Sequence, residues 1–334
     1  DCVAVVEQVR ALGRLSTCEI VASAAMTVGR AGDDMAPMGE LVDAGVGIFT
    51  DDGTGLQDPR LMRRIMEYST GLTRRLGRPV VLAQHCEVSA LSAGGYMHEG
   101  EWSSRLGIPG QPAEAEELMV MRDIALVRLT GAHMHFQHLS TASSVAMVRR
   151  AKAAGLPVTA EATTHHFTLT DAACASYDPV FKVHPPLRTD SDLAAVRAGL
   201  ADGTVDAVAT DHAPHAPHAK ERTFDEAPPG MLGLETAFAL TLGESGLDLP
   251  EVLAVLSWRP AAIAGIADRH GAAVVPGAPA NLCVVDPDET WMVSGAAMAS
   301  RSHNTPYEGR TLRGRVRHTI RAGEPVVIDG EAQR

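Results

Sequence analysis

The sequence predicts an α/β fold, a TIM-like (β/α)8 barrel with a small C-terminal β appendage, and three observations carry that prediction. Short apolar or β-branched runs alternate with helix-like segments, the pattern of parallel strands joined by crossover helices. Polar residues of catalytic type follow directly on those runs, at the strand ends where a barrel of this kind keeps its chemistry. Near residue 272 the texture changes to short strands and turns.

Taken in order, residues 3–12 read as an amphipathic helix directly after Asp1, with no initiating methionine, so the natural start is expected upstream. Strand-like runs follow at residues 19–24, 46–50, 80–84, 133–137, 157–163 and 205–210. Helices are expected over 59–76, 113–129, 141–154 and 191–201, with Gly or Pro where each should stop. A closed barrel of this type needs eight strands, and six would leave two unpaired edges. The first two βα units are therefore expected to be missing. After helices over 249–267, short strands at 281–286, 316–322 and 326–330 suggest the appendage. The expected division is an incomplete barrel over residues 1–272 and a small β domain over 273–334.

Composition narrows the function. Twenty-nine basic against forty-one acidic residues give a net charge of −12, the wrong sign for a protein that must displace counterions from a phosphate backbone. No run approaches the length of apolar chain needed to cross a bilayer. The five cysteines, Cys2, Cys18, Cys86, Cys174 and Cys283, are scattered and form no CxxC pair, which suggests neither a disulfide framework nor a zinc knuckle and fits a reducing cytoplasm. Nucleic acid and membrane are excluded as expected partners; a small-molecule substrate remains.

Three segments close an apolar strand with a histidine or carboxylate: VVLAQHCE with His85, HMHFQHLST with His138 and VDAVATDHAPH with Asp211. Imidazole and carboxylate are the ligands that hold a catalytic metal with positions left open for water and substrate. Any one of these histidines alone is as well explained as a hydrogen-bonded strand end; three on separate strands favour a common site. In IFTDDG, Asp52 shares strand parity with Ile48 and Thr50 and can point the same way, although Asp-Asp-Gly is also good turn chemistry. The loop HAPHAPHAK spaces His212, His215 and His218 three apart, compatible with a surface metal-scavenging tract.

The motifs FTDDG, QHCE, QHLST, EATTHH, KVHPPLR, ATDHAPH and GMLGLET, continued by PANLCVVDPD and SHNTPYEG, resemble in order and spacing those of bacterial, in particular actinobacterial, class I dihydroorotases of the amidohydrolase superfamily. The resemblance implies a binuclear Zn2+ site, with Asp52 bridging two ions, His85 and His138 on one and Asp211 on the other, Asp211 also being the catalytic acid/base. It implies substrate contacts at His215 and at the Pro229-Gly230 backbone, which outrank a metal-scavenging tract for that loop, while His165 and His166 read as outer-shell or structural residues rather than ligands. Two departures stand out. The HxHxR of the family's first strand is absent, and His184 stands where the family has an asparagine before Pro-Pro-Leu-Arg. A histidine cannot present a donor and an acceptor from one planar amide. The implied reaction interconverts N-carbamoyl-L-aspartate and L-dihydroorotate. The alternatives are a catalytically inactive structural partner of aspartate transcarbamoylase and a related hydantoinase or allantoinase, whose metals are typically bridged by a carboxylated lysine rather than an aspartate. The resemblance also implies a homo-oligomer or an assembly with aspartate transcarbamoylase.

Overall fold

The computed structural model describes residues 1–333. Five parallel strands form the central sheet in chain order: β1 (Ile48–Thr50), β2 (Val81–Gln84), β3 (His133–Phe136), β4 (Val158–Thr163) and β5 (Ala207–Ala209). Each is in register with its neighbour, as Phe49 with Leu82 and Leu82 with Met134.

The connecting helices form where local chemistry marks their ends. Helix Pro59–Leu76 starts on Asp58, whose side chain accepts from Arg60 N, carries Pro at its first position and stops at Gly77 with φ 66°. Thr141 caps helix Ala142–Ala153 through Ser144 N, and Thr189 and Asp192 form a capping box on helix Asp190–Ala201. Leu61, Met62, Ile65 and Met66 point from the first of these helices into a core shared with Phe49, Leu82, Met134 and Phe136. Burying each such side chain contributes about 1.5–3 kcal/mol, so the outer face of the sheet is held firmly.

The inner face is different. Ile48, Thr50, Ala83, His135, Gln137, Glu161 and Ala207 line a cavity of about 930 Å³ that continues past Glu19 to helix Arg259–Ile263 and the turns after it. The sheet does not close among the described residues. Residues 19–24, expected as a strand, are irregular and pair only through Ala24, whose N–H and C=O bond to Ile48 and Thr50 of β1. At the start of this segment the Glu19 carboxylate is paired with Arg269 at 2.8 Å and His270 at 2.6 Å, contacts a regular strand does not need.

Beyond the helices Leu249–Leu253 and Arg259–Ile263, four antiparallel strands, β6 (Leu282–Met292), β7 (Thr311–Arg321), β8 (Glu324–Ile328) and β9 (Glu331–Ala332), form a second sheet. The first two run longer than the sequence pattern indicated. Register shifts between Val284 and Val285, and between Asp286 and Thr290, let the pairing resume beyond Pro287. All five cysteines are unpaired, and no helix among the described residues is long and apolar enough to cross a membrane.

Candidate metal centre

Four sequence-predicted residues leave the carboxyl ends of the sheet: Asp52 two positions after β1, His85 directly after β2, His138 two after β3 and Asp211 two after β5. The structure brings three of them to one point. His85 Nδ1 lies 3.1 Å from His138 Nε2, and Asp52 Oδ1 lies 3.3 Å from His138 Nε2 and 3.4 Å from His85 Nδ1. Two atoms bound to zinc at about 2.0–2.1 Å in tetrahedral geometry stand about 3.3–3.4 Å apart. The spacing therefore fits one cation held by one oxygen and two nitrogens. The neighbouring Asp51 is not part of it: both its oxygens accept from Met26 N, Thr27 N and the Thr27 hydroxyl, and it is buried.

The charges agree with this arrangement. Burial works to raise the Asp52 carboxyl, but hydrogen bonds from His138 and His85 outweigh it and hold the group well below the usual carboxylate range. Burial works to lower His85, but Asp52 and Glu87 raise it to about 9. Two imidazoles and a carboxylate share the place of a cation.

Glu87, which sequence reasoning passed over, lies with Oε2 3.5 Å from His85 Nε2 and is fixed in turn by the Ser92 hydroxyl at 2.5 Å. A carboxylate behind the free nitrogen of a ligating histidine is the usual orienting partner, and its place two residues after His85 in QHCE was the available signal. His138 Nδ1 is buried without a partner. Its backbone has φ 33°, and Asp211 has φ 44°, conformations that cost a non-glycine residue about 1–3 kcal/mol and collect at functional sites.

Asp211 stands beside the trio, not within it. Burial pushes its carboxyl up, and the Asp52 and Glu161 carboxylates add to the rise against the pull of His138 and His85. His215 Nε2 donates to Pro229 O at 2.9 Å, while Gly230 N donates to Lys182 O at 2.8 Å. Asn304 ties both loops, accepting from His215 N and donating to Ala213 O and Gly230 O. His166 bridges Thr163 and Pro185 O, and His165 is fully buried. His184 sits between Gln111, 3.1 Å away, and the charges of Glu87 and His85. His212 Nδ1 accepts from Gly233 N, and His218 is exposed, so the three histidines of that loop form no cluster.

A carboxylate and two imidazoles converging at the carboxyl ends of parallel strands define a candidate metal site of the β/α-barrel hydrolase class. The profile of the Dihydro-orotase-like family matches residues 5–144, and that of the Amidohydrolase family matches residues 82–326. Dihydroorotase from Streptomyces coelicolor is 46% identical, the alignment covering 99% of this chain and 77% of that protein. Dihydroorotase from Mycobacterium tuberculosis is 47% identical over 92% of this chain and 71% of its own length. Among solved structures, L-hydantoinase (dihydropyrimidinase) from Arthrobacter aurescens superposes with TM-score 0.78 at 23% identity, covering 93% of this chain and 70% of that one. D-hydantoinase from a Bacillus sp. AR9 does so with TM-score 0.76 at 19% identity, covering 99% and 75%. The chain belongs to the amidohydrolase family and, within it, to the dihydroorotases; the hydantoinases share its TIM-barrel fold.

Proposed function

We propose that the chain is a dihydroorotase, interconverting N-carbamoyl-L-aspartate and L-dihydroorotate in pyrimidine synthesis with Zn2+ as its metal. The observation that carries this reading is the Asp52, His85 and His138 trio, spaced as ligands of one cation, in a chain 42–48% identical to curated dihydroorotases. Asp52, His85 and His138 would hold one ion. A second, sharing Asp52 and adding Asp211, belongs to the proposal on resemblance alone. When bound, the metal supplies Lewis-acid polarisation of the ring carbonyl and a water of lowered pKa.

The protein's own groups do the rest. Hydrolysis breaks the ring amide C–N bond, the water oxygen becomes part of the new carboxylate, and the departing nitrogen needs a proton. Asp211, its carboxyl raised by burial, carries that proton from water to nitrogen, and in the cyclising direction removes it from the carbamoyl nitrogen. His215, the Pro229-Gly230 backbone and His184 surround the position of the substrate.

The lysines support dihydroorotase over hydantoinase. The chain has three; Lys182 and Lys220 donate to backbone carbonyls and Lys152 pairs with Asp206. None stands at the trio to be carboxylated, and Asp52 occupies the shared position. The deciding experiment measures zinc content and turnover of L-dihydroorotate, hydantoin and allantoin by the full-length gene product and its Asp211→Asn variant. Expected are zinc in both, dihydroorotate as the preferred substrate, and a loss of about 10²–10⁴ in kcat for the variant. Zinc without turnover of any of the three would replace this reading by the inactive structural partner.

A further inference from the structure

The segment between β2 and helix Glu114–Thr130 makes an excursion whose two short strands, Met97–His98 and Gly110–Gln111, pair in parallel. Two glycines permit it. A Cβ on Gly110 would stand 2.4 Å from Glu99 Cα, and one on Gly95 would stand 2.5 Å from both Gln111 Cγ and Gly110 O. The close approach delivers Gly95 O to the Gln111 side chain, which is 2% exposed, at 2.9 Å from Nε2.

That contact fixes the Gln111 amide. A flipped amide would set its oxygen against the Gly95 carbonyl, two acceptors facing each other. The second hydrogen of the same NH2 then meets His184 Nε2 at 3.1 Å. A nitrogen that receives this hydrogen bond must be the acceptor, so the ring proton sits on the other nitrogen, Nδ1. The same excursion braces the loop of His184 twice more, because Arg188 Nη1 donates to Gln111 O and to His98 Nδ1, each at 3.0 Å. His184 Nδ1 has no hydrogen-bond partner among the described residues, and burial keeps the ring neutral.

We infer that Gln111 is a positioning residue that locks His184 as the Nδ1–H tautomer, so that position 184 offers substrate a single donor and selects for an oxygen acceptor there. The inference rests on the dihydroorotase reading for the placement of substrate at His184 and for the identity of that oxygen, on the substrate's carboxylate or ring carbonyl. It accounts for a histidine at a place where the related pattern has an asparagine: the donor is kept and the amide's acceptor is lost.

The first test is direct. The chain is labelled with ¹⁵N-histidine, and long-range ¹⁵N–¹H correlations are recorded near neutral pH with and without Zn2+, the His184 signal being identified by its disappearance in His184→Asn. A protonated Nδ1 and bare Nε2 are expected. A protonated Nε2, or an imidazolium, in the unmodified chain overturns the inference whether or not any variant folds. In Gln111→Met the tautomers should mix, and KM for L-dihydroorotate should rise by roughly tenfold with a smaller change in kcat. An unchanged tautomer in that variant, or an Nδ1–H signal that does not move when L-dihydroorotate is added to an unmodified chain that turns it over, also overturns it. Failure of the dihydroorotase reading would look different, as absent turnover with the tautomer intact.

Discussion

Glu116 grips Ser140 with both carboxylate oxygens: each accepts from Ser140 N at 3.1 Å, and the Ser140 hydroxyl bonds one of them as well. Thr141 adds its own N–H and hydroxyl to the other oxygen, Oε1. Glu116 is 1% exposed, so four donors of the loop that follows β3 depend on one buried carboxylate, and that loop carries His138 two residues earlier. Replacing it by Gln turns one acceptor into a donor facing donors. We expect Glu116→Gln to cost about 2–4 kcal/mol in stability and, in the fraction that folds, to weaken zinc binding by about 10–100-fold. Denaturant titration and competition against a zinc chelator measure the two separately; unaltered zinc affinity would reduce Glu116 to a structural role.

Asp52 makes a second case, because its partners are stabilised now by one another. With the carboxylate gone, two imidazoles whose nitrogens stand 3.1 Å apart lose the shared anion. Zinc at 100 times its Kd should raise the stability of the unmodified chain by about 2.7 kcal/mol, seen as an upward shift in Tm that EDTA reverses. In Asp52→Asn and in His85→Ala the shift should be nearly abolished. A full zinc-dependent shift in either variant would place the cation elsewhere.

How much of this the sequence carried differs from residue to residue. Helix Pro59–Leu76 was legible to both ends because Asp58, Pro59 and Gly77 are local signals. The strand ends bearing Asp52, His85, His138 and Asp211 were legible because an apolar run followed by a ligand-type residue is local too. Residues 19–24 misled, since β-branched composition does not say whether a partner strand is at hand, and the pull of Arg269 and His270 on Glu19 acts from 250 residues away. Glu116 was invisible for a related reason. In the first turn of its helix it resembles Glu114 and Glu117, and only the packed structure shows which of the three faces the Ser140 loop.

Gly230 sits where the backbone admits almost nothing else. Its φ is 127°, and a Cβ would lie 2.6 Å from Ala213 Cβ and 2.9 Å from His215 Nε2. Gly230→Ala must therefore break the His215 bond to Pro229 O or twist the loop that Asn304 ties down. A stability loss of about 1–3 kcal/mol is expected, together with a rise in KM for L-dihydroorotate that exceeds the fall in kcat. Steady-state kinetics decide this; a variant with unchanged KM would remove His215 and Gly230 from the substrate contacts.

Glu19 gives the pH dependence. Hydrogen bonds from Arg269 and His270 hold its carboxyl at about 2 against an ordinary value of 4.5, although partial burial opposes them. A folded-state value below the unfolded one means that the folded chain binds the proton less readily. The contribution is thus fully present above about pH 4.5 and is lost as the pH falls toward 2. The pair is about a third exposed, so solvent screening limits it to less than about 1 kcal/mol. Glu19→Gln should lower stability by that amount at pH 7, measured by urea unfolding, and the gap to the unmodified chain should narrow at pH 4 and shrink further at pH 3. A gap that stays constant from pH 7 to pH 3 would show that Glu19 acts through packing rather than charge.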